Sequence, residues 1–158
     1  MFGNVMATKT ILLVEDNPDD AELALRAFAK ARVKNQENQI VLARDGVEAL
    51  DYVFATGLHA GRRPGMPELV LLDLNLPRLD GFEVLRRLRA DERTEHLPVV
   101  ILTSSGQERD ILRSYDLGAN SYVRKPVDFG QFVEAARQLG LYWLSLNQGA
   151  PARGPTQT

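Results

Sequence analysis

The sequence has no cysteine among its 158 residues. That excludes a disulfide framework, a thiolate metal site and a cysteine nucleophile. Histidine is scarce too: His59 and His96 stand in separate loops, without the spacing of a metal-binding pair. Nowhere do about 18 apolar residues run together, so no segment reads as a membrane-spanning helix. Excess charge of either sign is missing, since 19 basic against 21 acidic side chains leave a net charge of −2. A dedicated nucleic-acid binder would usually be strongly basic. The opening MFGNVMATKT lacks the basic start and long apolar stretch of a signal peptide, and residues 1–9 read as a short lead-in. These absences fit a protein of the reducing cytoplasm.

What is present is ordinary for a globular protein: 44% hydrophobic and 25% charged residues. The length suits one domain with little left for a second. Strand-like and helix-like segments alternate along it. TILLVED (10–16) is an apolar run ending in acids, and Asn17-Pro18 opens a helix in which Ala21, Ala24, Leu25 and Phe28 recur at helical spacing. QIVLAR (39–44) is a second strand, broken by Asp45-Gly46 before a short helix. The loop GLHAGRRPGMP (57–67) is longer than most such connections. LVLLDL (69–74) is the most apolar strand, as a parallel strand covered on both faces should be. NLPRLDG (75–81) is turn-rich, and Phe82, Leu85 and Leu88 mark the face of a third helix. VVILT (99–103) is the fourth strand, with Ser104-Ser105-Gly106 placed to cap a helix over 107–117. NSYVRK (120–125) is the fifth, and Asp128 caps a last helix reaching about residue 147. The polar, proline-containing end (148–158) reads as a flexible tail. Five successive βα units predict an α/β doubly wound parallel sheet with helices on both faces.

Sheets of this kind bind ligands outside the carboxyl ends of their strands. At those ends stand Glu15-Asp16, Asp73, Thr103-Ser104 and Lys125. A strand order of 2-1-3-4-5 brings Glu15, Asp16 and Asp73 to one edge beside Thr103 and Lys125. Three carboxylates crowded together repel, and a divalent cation relieves that repulsion. A donor set of oxygens without histidine or thiolate favours magnesium, with manganese or calcium as substitutes. The lysine and hydroxyl suit a phosphoryl group, and an aspartate can accept one covalently. Asp73, ending the central strand, is the natural acceptor.

The segments ILLVEDNPDD, LVLLDLNLPRLDG, VVILTSS and NSYVRKP, in that order, resemble the receiver domain of two-component response regulators, with its flavodoxin-like fold. The likeness covers about residues 10–146. Within the family the chain is most similar to single-domain regulators that serve bacterial phytochromes, on DLNLPRLDG, the 57–67 loop and the YWL stretch at 142–144. The resemblance implies that Glu15 and Asp16 hold the metal with Asp73 and the backbone carbonyl of Asn75. It implies that Thr103 and Tyr122 are the switch pair, that Ser104 leaves the acceptor open, and that Lys125 pairs with phosphate. The acidic pair is Glu-Asp where Asp-Asp is usual, a common variation. The resemblance also implies a cis Lys125–Pro126 bond, a sensor histidine kinase as partner (a bacteriophytochrome among the candidates), and signalling through protein contacts.

Singly, several of these residues have plainer explanations. Asn17 and Asp16 could be a helix cap, Tyr122 a strand aromatic, and Lys125 a solvated charge; their conjunction at strand ends favours a site. Arg86, Arg87 and Arg89 read as a solvated helix face, and Arg62 and Arg63 as solvated loop cations. In the last helix, Phe129, Phe132, Val133, Ala136 and Leu139 form a core stripe, while Leu141, Tyr142, Trp143, Leu144 and Leu146 add apolar groups nearly all round. That surplus predicts an exposed patch and a homodimer. Three other functions stay open at this point. A hydrolase working through an aspartyl phosphate is disfavoured by Asn75, a poor general acid. A flavin carrier is disfavoured by Glu15, Asp16, Asp19 and Asp20, which would repel its phosphate. A phosphorylation-independent interaction module is the third.

Overall fold

A computed structural model describes residues 9–32, 38–62, 65–126 and 128–151. The lead-in before Lys9, residues 35–37, Arg63 and the tail from 152 onward lie outside them. The elements run β1 (Lys9–Val14), α1 (Pro18–Lys30), β2 (Asn38–Ala43), α2 (Gly46–Phe54), β3 (Leu69–Leu72), α3 (Gly81–Ala90), β4 (Val99–Thr103), α4 (Glu108–Asp116), β5 (Ser121–Arg124) and α5 (Phe129–Gly140). The strands form one parallel sheet, as the βα repetition predicts, in the order β2-β1-β3-β4-β5 that the flavodoxin-like resemblance implies.

Alternation along the buried strands divides the core into two layers. Leu12, Val14, Val70, Leu72, Val99 and Ile101 meet Ala49 and Val53 of α2 and Val84, Leu85 and Leu88 of α3. Ile11, Leu13, Leu69, Leu71, Val100 and Leu102 meet Ala24, Ala27 and Phe28 of α1 and Phe132 and Ala136 of α5. The helices start where the sequence provides caps. Asn17 Oδ1 accepts from the amides of Asp19 and Asp20, with Pro18 in the first turn of α1. Asp45, Asp80 and Asp128 cap α2, α3 and α5 in the same manner.

Several expectations are corrected. The helix after β4 begins at Glu108, and its N-cap, Gln107, makes no side-chain cap bond. Ser105 instead donates from Oγ to Asp110 Oδ2 at 2.6 Å and accepts from the Gln107 amide. The last helix is not uniform: α5 ends at Gly140, and Leu141–Leu146 continue in wider π winding. Leu144 is 1% exposed and packs in the core layer of α1 and α5, so it is no part of an exposed patch. Trp143 packs partly against the same layer, leaving Leu141, Tyr142 and Leu146 exposed. Arg89 is no solvated cation. Its guanidinium donates to the carbonyls of Gly118 and Thr94 and to Asn120 Oδ1, tying α3 to the start of β5, and burial lowers its pKa. Arg62 likewise lies 4.3 Å over the Tyr52 ring and donates to the Tyr52 and Val53 carbonyls in the last turn of α2. No peptide bond is cis among the described residues. Lys125–Pro126 is therefore trans, the form an X-Pro bond prefers by about 0.5–1 kcal/mol.

Candidate functional site

The site grows from the carboxyl ends of β1, β3, β4 and β5. Past the last residues of β1 and β3 the ladder continues, through Glu15 N to the Ala43 carbonyl at 3.0 Å and Asp73 N to the Val14 carbonyl at 3.1 Å. These bonds fix Glu15 and Asp73 side by side at the ends of neighbouring strands. Both are buried. Asp16, one residue on, is exposed at the rim. Ligand oxygens of Glu15, Asp16 and Asp73 lie within 4.8 Å of one another. A hard divalent cation fits such a donor set of oxygens alone.

Lys125 follows β5, its amide bonded to the Thr103 carbonyl at 2.7 Å. Its ammonium reaches Glu15 Oε2 at 2.5 Å, Asp73 Oδ2 at 3.0 Å and Asp20 Oδ2 at 3.1 Å. The other carboxylate oxygens are held by backbone: Glu15 Oε1 by the Asn17 amide at 3.1 Å, and Asp73 Oδ1 by the Asn75 amide at 3.3 Å. Burial pushes the Glu15 carboxyl up to about 7, against the pull of Lys125 and with a further push from the Asp73 charge. Burial opposes the charge on Lys125, yet the hydrogen bond to Glu15 and the charge of Asp73 hold its pKa above the ordinary lysine value.

Thr103 ends β4 and is fully buried, while Ser104 beside it is exposed. Asn75 is exposed, its side chain free of the core. Tyr122, half-buried on β5, donates its hydroxyl to the Ser105 carbonyl at 2.8 Å, which pins the loop after β4 to the strand. Burial raises the Tyr122 pKa, partly offset by that bond. The strand-end residues Glu15, Asp16, Asp73, Thr103 and Lys125 are thus assembled at one edge, with Lys125 in direct contact with both Glu15 and Asp73.

Two further residues shape the site. Asp20, on the first turn of α1, supplies the third carboxylate on Lys125. Its signal was its place as the third residue of α1, in the first turn after the Asn17 cap that follows Asp16. Gly81 stands where α3 starts against the backbone of Asp73: a Cβ there would lie 2.2 Å from the Asp73 carbonyl oxygen and 2.8 Å from Leu74 Cα. The turn NLPRLDG therefore ends in glycine because backbone passes against backbone.

Residues 11–137 match the response regulator receiver domain family. The chain belongs to that family. The receiver domain here is 41% identical over 138 residues to the probable methanogenesis regulatory protein FilR2 of Methanothrix harundinacea, covering 87% of this chain and 85% of that one. It is similar to the phosphorylated cyanobacterial phytochrome response regulator RcpA, at 38% identity and a TM-score of 0.83 over 92% of this chain and 100% of RcpA. It is also similar to the manganese-bound response regulator Rcp1 of Synechocystis, at 31% identity and a TM-score of 0.79, over 90% of this chain and 99% of Rcp1. Receiver domains of response regulators are two-component signalling proteins, not classical enzymes. Membership leaves the hydrolase and flavin-carrier readings without support. No helix among the described residues is long and apolar enough to cross a membrane.

Proposed function

We propose that this receiver domain accepts a phosphoryl group on Asp73 from the phosphohistidine of a sensor histidine kinase and signals through protein contacts. The observation that carries the proposal is the contact of Lys125 with both Asp73 and Glu15 at the strand ends. In the transfer, the partner's N–P bond breaks as an O–P bond forms to a carboxylate oxygen of Asp73. The electron pair of the broken bond stays on the imidazole nitrogen. Glu15, Asp16 and Asp73, with the Asn75 carbonyl, would hold a divalent cation, magnesium by the hardness of its donors. Bound there, it supplies positive charge for the phosphoryl oxygens. Lys125 gives a fixed ammonium donor beside the acceptor, and Thr103 a hydroxyl at the neighbouring strand end. Catalysis of this kind is positioning and charge stabilisation.

After transfer, Thr103 moves toward the phosphoryl group and Tyr122 follows, releasing its bond to Ser105 and re-shaping the surface around β4, α4 and β5. The kinase is a phytochrome-linked one, a reading supported by the likeness to RcpA, and the setting is cytoplasmic. Exposed Leu141 at 37%, Tyr142 at 49% and Leu146 at 65% support a homodimer through the segment after α5.

Intact-mass analysis after incubation with magnesium and acetyl phosphate tests the acceptor. One added phosphoryl group is expected, and none in Asp73→Asn. Equal uptake by Asp73→Asn would exclude Asp73. No uptake by wild type would favour a phosphorylation-independent interaction module.

A further inference from the structure

Three polar groups of Ser105 go to three different parts of the molecule. Its amide donates to Thr103 Oγ1 at 3.5 Å, its carbonyl accepts from the Tyr122 hydroxyl at 2.8 Å, and its own hydroxyl donates to Asp110 Oδ2 at 2.6 Å. In the proposed switch Thr103 and Tyr122 both leave their resting places, so the first two bonds are the ones that change. The third partner stands in the first turn of α4. A hydroxyl donating to a carboxylate makes a charge-assisted bond, about twice as strong as a neutral one. Ser105 therefore keeps its hold on Asp110 when its other ties are lost. The helix is also easily displaced. Of the nine residues of α4 only Ser114 is fully buried, and its hydroxyl is taken up by the Asp110 carbonyl of the same helix at 2.7 Å. An element that buries so little is shifted more readily than one that fills the core. Because α4 exposes Leu112 at 64% and Tyr115 at 48%, its displacement rearranges apolar surface.

We infer that Asp110 is a positioning residue whose bond to Ser105 makes α4 travel with the loop after β4 when Asp73 is phosphorylated. This deepens the reading of Asp73 as phosphoacceptor and rests on it. Without the bond, loop and helix part: the site still holds a phosphoryl group, and α4 no longer responds to it. That separation distinguishes the role from a structural one. A residue that merely stabilised α4 would loosen the helix equally whether the site is filled or empty.

Hydrogen–deuterium exchange of the α4 amides, with and without beryllofluoride as a phosphoryl mimic in the presence of magnesium, gives the test. In wild type the mimic is expected to change their exchange rates by about threefold or more. Ser105→Ala and Asp110→Ala should still bind the mimic stoichiometrically in calorimetry and lose most of that change. Asp110→Asn, which keeps an acceptor oxygen for the Ser105 hydroxyl, should retain it. Asp116→Ala, which removes the same charge at the other end of α4, should respond as wild type does. An undiminished change in both Ser105→Ala and Asp110→Ala overturns the inference alone, even if α4 exchanges faster throughout. So does an equal loss in Asp116→Ala, which would make the effect a general weakening of the helix. A wild-type protein that binds the mimic without any change in α4 also overturns the inference alone. One that binds no beryllofluoride overturns the acceptor reading and this inference with it.

Discussion

Replacing Lys125 with methionine keeps the length of the side chain and removes its charge. Two buried carboxylates, Glu15 and Asp73, then lose their cation in a site where the lysine itself is only 10% exposed. Leaving a buried charge without its partner costs about 3–5 kcal/mol, and a half-exposed contact such as Asp20 adds at most about 1. Protonation of Glu15 relieves part of this, because burial already holds that carboxyl at about 7 instead of its ordinary 4.5. An acid raised in this way binds more protons folded than unfolded between those two values. The wild-type fold, free of metal, therefore loses stability as pH rises from about 4.5 to about 7. Without the lysine the carboxyl rises further, and the loss continues at higher pH. Lys125→Met is thus expected to cost about 3 kcal/mol near pH 8 in chelator and about half that near pH 5.5. Magnesium, by supplying positive charge, narrows the gap. Urea unfolding followed by fluorescence of Trp143, the single tryptophan, measures each value. A variant as stable as wild type near pH 8, or a cost that does not shrink on acidification, would refute the electrostatic account of this cluster.

Gly81→Ala places a methyl group 2.2 Å from the Asp73 carbonyl oxygen, so the backbone must shift; a loss of about 2 kcal/mol or more in urea unfolding is expected, with slower uptake of phosphoryl from acetyl phosphate. Leu144→Ala should destabilise by about 2–4 kcal/mol because Leu144 is buried in its own chain. Leu146→Ala, exposed, should change stability by less than about 0.5 kcal/mol while weakening self-association in light scattering. A monomer at micromolar concentration, unchanged by Leu146→Ala, would remove the dimer.

The strand ends that carry Glu15, Asp73 and Lys125 were legible in the sequence because they have their own markers, and the strand order that brings them together came with the family resemblance. An apolar run that stops at a charged residue, followed by a cap, states where a chain leaves the sheet. The roles of long side chains were not legible in this way. Arg86 and Arg89 share one helix, but Arg86 pairs with Glu83 at the surface while Arg89 reaches three acceptors in the loops after α3 and α4. Periodicity gives the face a residue stands on, and not where a flexible stem of several bonds will end. The end of the last helix shows the same limit. Apolar residues all round predicted exposure, but π winding turns Leu144 into the core, and no local signal distinguishes that winding from an α-helix. Asp20 stood out in the sequence only as one acid among four, and its contact with Lys125 was not legible because an acid in the first turn of a helix already has a local explanation in the helix dipole.

The central claim is that Asp73 receives the phosphoryl group. Borohydride reduces an aspartyl phosphate to the side chain of homoserine, which marks the acceptor permanently. The protein, phosphorylated by a sensor histidine kinase with magnesium present, then reduced and digested, should carry that mark at position 73 and at no other carboxylate. A mark on Glu15, Asp16 or Asp20, or transfer that persists in Asp73→Asn, would contradict the account.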